Sequence, residues 1–425
     1  MERKWQRLTS SSACVMSKRV VITGLGVISS LGIGWQEFWK NLLDGKSGIS
    51  PITSFDTSKH VTHNGGEVKN FDPGLFISEA SLKVMNRSTQ MALSAARLAL
   101  QDSALTESDL SGRMTGVSFG TTLGDAQAIE DIDALLVRNQ KVTKELFYQL
   151  PTHAAPSAIA KEFKLRGPAF MFSTACAAGN YAIGYGFDLI RMGRADIVLA
   201  GASDPISRIE YTGFNQFSAV APEKCQPFDK NRKGMILAEG AGVVVLESLE
   251  DALARKATVY AEILGYGLSC DAFHMTTSSV EDIAECMRKA LRESGITSDD
   301  VDYISAHGTG TLKNDRNECA AIKQVFGERF RQIPVSSIKS MLGHTMGAAS
   351  AIEALTCALV VQNNMIPPTI NHETPDPECD IDCVPNVARS QQVIIALNNS
   401  YAFGGNNACL VLKKYRDSSG GKDAK

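Results

Sequence analysis

Short apolar runs alternate along the chain with longer segments whose apolar residues recur at helical spacing. Residues 87–100 and 348–361 have that spacing and consist of good helix formers, so they predict helices. The apolar runs do not alternate with polar residues, which is typical of strands that are buried on both faces. Strands separated by helices indicate a layered α/β architecture in which helices cover the sheets. The predicted strands are residues 19–23, 197–200, 242–246, 301–305 and 393–397.

Two stretches of the chain repeat the same order of strand, tight turn of small residues and helix. In the first stretch, the turn that follows residues 169–172 contains Cys176. In the second stretch, the turn that follows residues 334–338 contains His344. The repeat predicts a duplicated fold whose two halves meet at a shared site.

This duplication divides the chain near residues 250–258. We expect one half to cover residues 16–255 and the other to cover residues 256–416. Residues 1–15 lack the apolar core of a signal peptide and are predicted to be a flexible amino-terminal extension. Residues 417–425 are predicted to be a flexible tail.

Composition narrows the class of protein. The 425 residues are 44% hydrophobic and 21% charged, as in an ordinary folded protein. With 43 basic and 46 acidic residues the net charge is −3, which does not favour nucleic-acid binding. The sequence has no run of about 18 uncharged apolar residues, so we predict no membrane span. Ten scattered cysteines are typical of reduced thiols, and we expect a cytoplasmic protein.

Two alternatives that involve a metal or a cofactor are disfavoured. Cys379 and Cys383, with His372 upstream, are too loosely spaced for a typical zinc site, so no metal is predicted. Gly24 and Gly26 follow the first strand, but the third glycine of a dinucleotide-binding motif is missing. Close packing of a strand against a helix explains these two glycines better than NAD binding.

Cys176 occupies the position where the strand at residues 169–172 gives way to a helix. Its small neighbours leave room for a substrate carbonyl group at the sulfur. The amino terminus of the following helix is expected to lower the pKa of the thiol, and a thiolate is a good acyl acceptor. A buried, inert cysteine would fit the same pattern.

His307 and His344 each follow a predicted strand, with glycine beside them. Such turns place an imidazole so that it points into a cleft, although structural histidines also occur there. Phe403 begins a Phe-Gly-Gly sequence after the last predicted strand, where backbone N–H groups could bind a developing oxyanion. A hairpin would explain those glycines equally well. Two histidine turns combined with a matching cysteine turn favour catalysis.

Six motifs occur in a fixed order along the chain. They are Ser-Thr-Ala-Cys-Ala-Ala-Gly at 173–179, Pro-Phe-Asp-x-x-Arg at 227–232, Glu-Gly-Ala-Gly at 239–242, Ala-His-Gly-Thr-Gly-Thr at 306–311, Lys-Ser-x-x-Gly-His at 339–344 and Phe-Gly-Gly at 403–405. The chain thereby resembles the type II β-ketoacyl-[acyl-carrier-protein] synthases, over residues 18–414. The resemblance implies a thiolase-like duplicated fold, layered α-β-α-β-α, and an acyltransferase that requires no cofactor.

The resemblance also implies roles for the catalytic residues. Cys176 is expected to hold the growing acyl chain as a thioester. His307 and His344 are expected to promote the decarboxylation of a malonyl group. Lys339 is similar to the lysine that organises this site in the family, paired here with Glu353.

Other roles concern substrate binding. The resemblance implies an oxyanion hole formed by the backbone N–H groups of Cys176 and Phe403, with the Phe403 ring as a gate. Leu123 matches a position that limits the length of the acyl chain. Lys83 and Arg87 are the expected docking residues for an acidic carrier protein. The residues expected to bind the phosphopantetheine arm are Thr309, Thr311, Thr276 and Thr277.

The implied reaction is the decarboxylative Claisen condensation of a cysteine-bound acyl primer with malonyl-acyl-carrier-protein in fatty-acid synthesis. Departures from the family pattern, such as Leu312 in place of a frequent proline, favour an alternative pathway. In it the chain is the ketosynthase of a type II polyketide or polyene pathway, alone or paired with a chain-length factor. The expected partners are an acyl carrier protein and a second copy of the chain. A non-catalytic chain-length factor would lack Cys176, and a degradative thiolase would need a late cysteine turn that Cys409 does not form.

Overall fold

The structure is a computed structural model that describes residues 18–272 and 274–416. The predicted extension at residues 1–15 and the predicted tail at residues 417–425 lie outside the described residues.

Every segment predicted from the hydrophobic pattern overlaps an observed strand or helix, although the strands Tyr303–Ser305 and Ile395–Tyr401 each begin two residues later than predicted. The strands are β1 (Val20–Ser29), β2 (Gly32–Ile33), β3 (Ser50–Pro51), β4 (Asn64–Gly65), β5 (Thr115–Gly120), β6 (Ala169–Phe172), β7 (Ile197–Asp204), β8 (Gly240–Ser248), β9 (Ala261–Cys270), β10 (Tyr303–Ser305), β11 (Val335–Ser336), β12 (Met365–Ile366), β13 (Arg389–Ser390), β14 (Ile395–Tyr401) and β15 (Asn406–Lys413). The helices are α1 (Trp35–Leu43), α2 (Glu79–Leu82), α3 (Arg87–Ser103), α4 (Glu107–Gly112), α5 (Ala126–Val137), α6 (Lys144–Gln149), α7 (Ala154–Glu162), α8 (Ala178–Arg191), α9 (Arg208–Gln216), α10 (Leu249–Ala254), α11 (Val280–Glu293), α12 (Leu312–Phe326), α13 (Lys339–Leu342) and α14 (Ala348–Asn363).

The large sheet consists of two copies of one topology. Its strand order is β11-β10-β14-β15-β9-β1-β8-β7-β5-β6, and β2 pairs with β1. From the centre outward, one set of strands runs in the order β1, β8, β7, β5 and β6. The matching set on the other side runs in the order β9, β15, β14, β10 and β11. In each set the first two pairings are antiparallel and the last two are parallel. The duplication predicted from the repeated turns is therefore visible in the strand order, and the predicted boundary falls between α10 and β9.

Helices cover both faces of each half of the sheet. Helix α3 packs on β1 and β8, and α11 packs on β9 and β15. Helices α8 and α14 pack against each other and against strands of both halves. Because α8 and α14 lie between the two halves, the layers follow the order α-β-α-β-α, as predicted. No helix in the described part of the chain is long and apolar enough to cross a membrane.

Gly24 and Gly26 allow β1 to approach α3 closely. A Cβ atom at Gly24 would lie 2.3 Å from the carbonyl oxygen of Ala99, and one at Gly26 would lie 1.9 Å from that of Ala95. Any larger residue would push the helix off the sheet. These glycines therefore serve strand–helix packing, which was the preferred alternative to a dinucleotide motif.

Candidate active site

Cys176 lies in a 3₁₀ turn, Ala175–Ala177, that joins β6 to α8. Ala175 has a φ of 47°, a left-handed conformation that sets a sharp turn directly before the cysteine. The hydroxyl group of Ser400 donates a hydrogen bond of 2.8 Å to the carbonyl oxygen of Cys176 and holds the turn against β14. The side chain is buried, with 6% of its surface exposed.

His344 comes into contact with the sulfur from the turn between α13 and α14. Its Nε2 atom lies 3.1 Å from Sγ of Cys176, although the two residues are 168 positions apart in the sequence. The backbone N–H of Met346 donates to Nδ1 at 3.2 Å. Because Nδ1 accepts this hydrogen bond, the proton of a neutral ring is on Nε2, and it points at the sulfur. The cysteine turn and the histidine turn therefore meet at one site, as the repeated turns predicted.

His307 follows β10 and completes the group of three. Its ring centroid lies 5.5 Å from that of His344, at an interplanar angle of 84°. The carboxylate of Glu318, on α12, accepts hydrogen bonds of 2.8 Å from the backbone N–H groups of His307 and Gly308. These two bonds fix the turn that presents the imidazole, so Glu318 positions His307 without touching its ring.

Both imidazoles lie in an environment that disfavours the charged form. Burial, and then the positive charge of Lys339, lower the pKa of His307 and of His344 well below the ordinary histidine value. The Lys339 ammonium group is itself buried and forms an ion pair with Glu353, the pairing expected from the sequence. Burial raises the pKa of the Glu353 carboxyl to about 7, although Lys339 opposes this shift. At neutral pH the two imidazoles are therefore neutral hydrogen-bond donors.

The thiol of Cys176 does not have the lowered pKa that its position before a helix suggested. Burial raises its pKa to about 12, and the charge of Lys339 offsets only part of this shift. The physical reason is the loss of hydration of a thiolate in a closed site, which outweighs the helix terminus. The resting cysteine is therefore a neutral thiol, and the Nε2–H of His344 is placed to stabilise the thiolate once it forms.

One cavity of about 400 Å³ joins these groups to the expected substrate-binding residues. Cys176, His307 and His344 line it, and so does Phe403. The four threonines assigned to the phosphopantetheine arm also line it, namely Thr276, Thr277, Thr309 and Thr311. The ring of Phe403 packs against Phe214, with 5.6 Å between the centroids. The cavity thus contains a nucleophile, two neutral donors and a lining of hydroxyl groups.

Three candidate residues lie elsewhere. Leu123 follows β5, is 44% exposed and does not line this cavity, so its effect on chain length stays a prediction. The guanidinium of Arg87 binds the buried carboxylate of Glu239 at 2.7 and 2.5 Å, so a structural contact accounts for this residue and its role in carrier docking stays a prediction. Lys83 is exposed and forms a surface ion pair of 3.3 Å with Glu79.

Two residues that support the site were missed in the sequence. The carboxylate of Asp204, at the end of β7, accepts a hydrogen bond of 2.7 Å from the backbone N–H of Gly347, at the start of α14. Ser400 holds the carbonyl group of Cys176, as described above. Neither residue belongs to a recognisable motif, so the sequence contains no signal for these contacts.

Within the described residues, one set of metal-ligating side chains is close enough to hold an ion. The ligand atoms of Cys176, His307 and His344 all lie within 4.8 Å of one another, and zinc accepts thiolate and imidazole ligands. The same three groups line the cavity in which the acyl chemistry is expected. Cys379, Cys383 and His372 do not form such a set in the part of the chain that the structure describes.

Known proteins resemble the chain over nearly its whole length. The family model of the β-ketoacyl synthase N-terminal domain matches residues 17–252, and that of the C-terminal domain matches residues 260–373. Nodulation protein E of Rhizobium meliloti (strain 1021) is 40% identical over 402 residues, which is 94% of this chain and 100% of that protein. The 3-oxoacyl-[acyl-carrier-protein] synthase 2 of Synechocystis sp. is 39% identical over 411 residues, 94% of this chain and 99% of that protein.

Solved structures share the fold. The ishigamide ketosynthase/chain length factor has a TM-score of 0.91 and 45% identity, over 94% of this chain and 100% of that one. A type II polyketide-synthase acyl-carrier protein in complex with its ketosynthase gives a TM-score of 0.86 and 36% identity, with the same coverage. The chain therefore belongs to the β-ketoacyl synthase family. It is a condensing ketosynthase of thiolase-like fold and, by its chemistry, an acyltransferase.

Proposed function

We propose that this ketosynthase condenses a Cys176-bound acyl primer with malonyl-acyl-carrier-protein, with loss of carbon dioxide, to give a 3-oxoacyl-acyl-carrier-protein. The observation that carries the proposal is the contact of 3.1 Å between Sγ of Cys176 and Nε2 of His344, beside His307 in one cavity. A buried thiol with two neutral donors next to it suits an acyl transfer followed by the formation of an enolate.

In the first step the sulfur of Cys176 attacks the thioester carbonyl of the acyl primer. A bond forms between this sulfur and the acyl carbon, and the bond from that carbon to the sulfur of the carrier breaks. The proton lost by the Cys176 thiol is taken up by the departing thiolate, so the carrier leaves as a free thiol. The hydrogen bond from His344 stabilises the thiolate that attacks. The developing oxyanion would be bound by the backbone N–H groups of Cys176 and Phe403.

In the second step the malonyl thioester loses carbon dioxide, and its electron pair is delocalised onto the thioester oxygen. His307 and His344, neutral because of burial and of Lys339, would donate hydrogen bonds to that oxygen. The enolate carbon then attacks the acyl carbon on Cys176, and the bond from that carbon to the sulfur breaks. The sulfur leaves as a thiolate and takes up a proton from solvent, which restores the resting thiol. Lys339, held by Glu353, acts through its charge and keeps both imidazoles neutral.

The carrier protein and the pathway are part of the same proposal. A ketosynthase of the same fold is known in complex with its acyl-carrier protein, which supports such a partner here. We assign the enzyme to fatty-acid synthesis, which the match to the 3-oxoacyl-[acyl-carrier-protein] synthase 2 of Synechocystis sp. supports. A polyketide or polyene pathway is the second candidate, favoured by the 45% identity with the ishigamide ketosynthase/chain length factor.

A homodimer is proposed from the open edge of the sheet. Strand β6 is the last strand on its side, pairs only with β5 in the described residues, and exposes Ala169 and Phe170. An exposed apolar edge strand invites pairing with another chain. The strand at the opposite edge, β11, is buried. A loop covers it, since the backbone N–H of Val335 donates a hydrogen bond to the carbonyl of Asp382.

The experiment is to incubate the purified enzyme with malonyl-acyl-carrier-protein and a series of acyl-carrier primers, and to identify the products by mass spectrometry. We expect 3-oxoacyl products two carbons longer than the primer, together with carbon dioxide. Extension of saturated primers supports fatty-acid synthesis, whereas extension of polyunsaturated primers alone supports the second candidate. Release of free acids without any condensed product would refute the proposal.

A further inference from the structure

Two loops of the amino- and carboxy-terminal halves are fastened together at one end of the cavity. The backbone N–H of Gly234 donates a hydrogen bond of 2.9 Å to the carbonyl of Gly310. The guanidinium of Arg232 reaches the carbonyl of Leu312 at 3.2 Å and lies 3.7 Å from the carboxylate of Asp315. These contacts fix the backbone on both sides of the loops, so the residues between them are presented on one shared surface.

Each of these loops carries a lysine that lines the cavity. Lys233 comes directly before Gly234, and Lys313 lies in the first turn of α12. Both lysines are exposed, whereas Cys176, which lines the same cavity, is buried. The two lysines are therefore at the solvent-facing end of the same cavity that contains the nucleophile.

The positive charge of the two lysines is not neutralised by this chain. Among the described residues, neither ammonium group takes part in an ion pair or a side-chain hydrogen bond, and no acidic residue lines the cavity. The amino terminus of α12, which receives no side-chain capping bond from Thr311, adds to the positive potential. This end of the cavity therefore favours an anionic group of the substrate.

We propose that Lys233 and Lys313 bind the phosphodiester of the phosphopantetheine arm while its thioester lies at Cys176. This inference rests on the proposed function, and it specifies which group of the substrate the cavity binds at its open end. An arm that bears a thioester at one end and a phosphate at the other matches a cavity with a nucleophile at its buried end and two cations at its open end. The hydroxyl groups of the threonines described above line the same cavity.

The test compares two malonyl thioesters that differ only in the phosphate. Carbon dioxide release is measured with malonyl-phosphopantetheine and with malonyl-pantetheine, for the wild type and for the double variant Lys233→Met/Lys313→Met. We expect the KM for malonyl-phosphopantetheine to rise about tenfold or more, because two charge-assisted contacts are lost. The KM for malonyl-pantetheine should change less than about twofold, with kcat unchanged for both. Lys40→Met, on exposed α1 surface away from the cavity, is the matched control.

Two outcomes would overturn the inference. An equal rise in KM for both thioesters would mean that the lysines do not recognise the phosphate. If the double variant raised the KM only for malonyl-acyl-carrier-protein, the two lysines would bind acidic side chains of the carrier instead. If the wild type releases no carbon dioxide from any thioester, the proposed function fails by itself. The lysines are then tested by the protection of Cys176 from iodoacetamide, which phosphopantetheine should give at lower concentration than pantetheine, in the wild type but not in the double variant.

Discussion

At the scale of single residues, the reactive side chains of the site are buried and uncharged. Cys176 is a thiol rather than a thiolate, and both histidines are imidazoles rather than imidazolium ions, because burial disfavours charge. Lys339 and Glu353 form the buried ion pair beside the two histidines. Neutral donors can bind an anion that appears only during the reaction, so their contribution is largest in the transition state.

The two histidines should differ in their effects on the two steps. His307→Ala is expected to reduce malonyl decarboxylation by roughly a hundredfold while Cys176 still becomes acylated, since one enolate donor is lost. His344→Ala should slow both steps, because this imidazole also contacts the sulfur. Carbon dioxide release and intact mass measure the two steps separately, with exposed His153→Ala as control. Equal rates of decarboxylation in all three variants would exclude the assignment.

The raised pKa of Cys176 predicts a steep pH dependence of its alkylation. The thiolate fraction rises about tenfold for each pH unit below the pKa. In the free enzyme the rate constant for iodoacetamide should therefore keep rising between pH 7 and pH 10 without levelling off, since the pKa lies at about 12. A plateau near pH 7 would show that the helix terminus lowers the pKa, as the sequence alone suggested.

The nature of these groups could be predicted from the sequence, but not their contacts. Small residues around Cys176 and glycines beside the histidines indicated reactive turns. The distance between Cys176 and His344 depends on how α8 and α14 pack between the two sheet halves, which no local pattern records. The same packing buries the thiol, and this is why the expected direction of its pKa was wrong.

At the scale of elements, a strand, a turn and a helix form the repeated unit that presents each reactive group. Periodicity located the buried strands β7 and β8 and the helices α3 and α14 because their apolar residues are continuous or helically spaced. It missed β9 (Ala261–Cys270), whose burial is interrupted and whose sequence mixes Glu, Tyr and Gly with apolar residues. Pairing with β1 and β15 forms this strand, so tertiary contacts outweigh its weak local signal.

The junction between α3 and β8 depends on the ion pair of Arg87 with Glu239. Arg87→Met leaves the buried Glu239 carboxylate without its partner, and should lower the free energy of unfolding by about 3–5 kcal/mol. Lys83→Met, on the exposed surface, should change it by less than about 0.5 kcal/mol. Urea unfolding of both variants measures the difference. Unchanged stability in Arg87→Met, with weaker binding of the carrier, would support Arg87 as a docking residue instead.

At the scale of the whole molecule, one five-strand topology occurs twice and the reactive groups come from both copies. Cys176 follows a strand of the first copy, whereas His307 and His344 belong to the second. The repeated turn sequences were enough to predict the duplication, because each half uses the same strand-to-helix turn. The β1–β9 pairing that joins the halves covers only residues 20–22 and 261–263, so the shared central helices supply most of the contact.

The open edge at β6 predicts a homodimer in solution. Light scattering after size exclusion should give twice the chain mass of 45.7 kDa. Phe170→Asp places a charge on the exposed edge and should yield monomers, whereas Val387→Asp, on another exposed surface, should remain dimeric. A monomeric wild type, or a dimeric Phe170→Asp variant with unaltered affinity, would contradict this use of the edge.

The most direct test of the account is whether Cys176 transfers the acyl chain that it accepts. Intact-protein mass spectrometry after incubation with acyl-carrier thioesters should show one added acyl group per chain, and peptide mapping should locate it on Cys176. Addition of malonyl-acyl-carrier-protein should remove that group and produce 3-oxoacyl-acyl-carrier-protein in equal amount. Cys176→Ala should show neither event. An acyl group on another residue, or one that malonyl-acyl-carrier-protein does not discharge, would contradict the account.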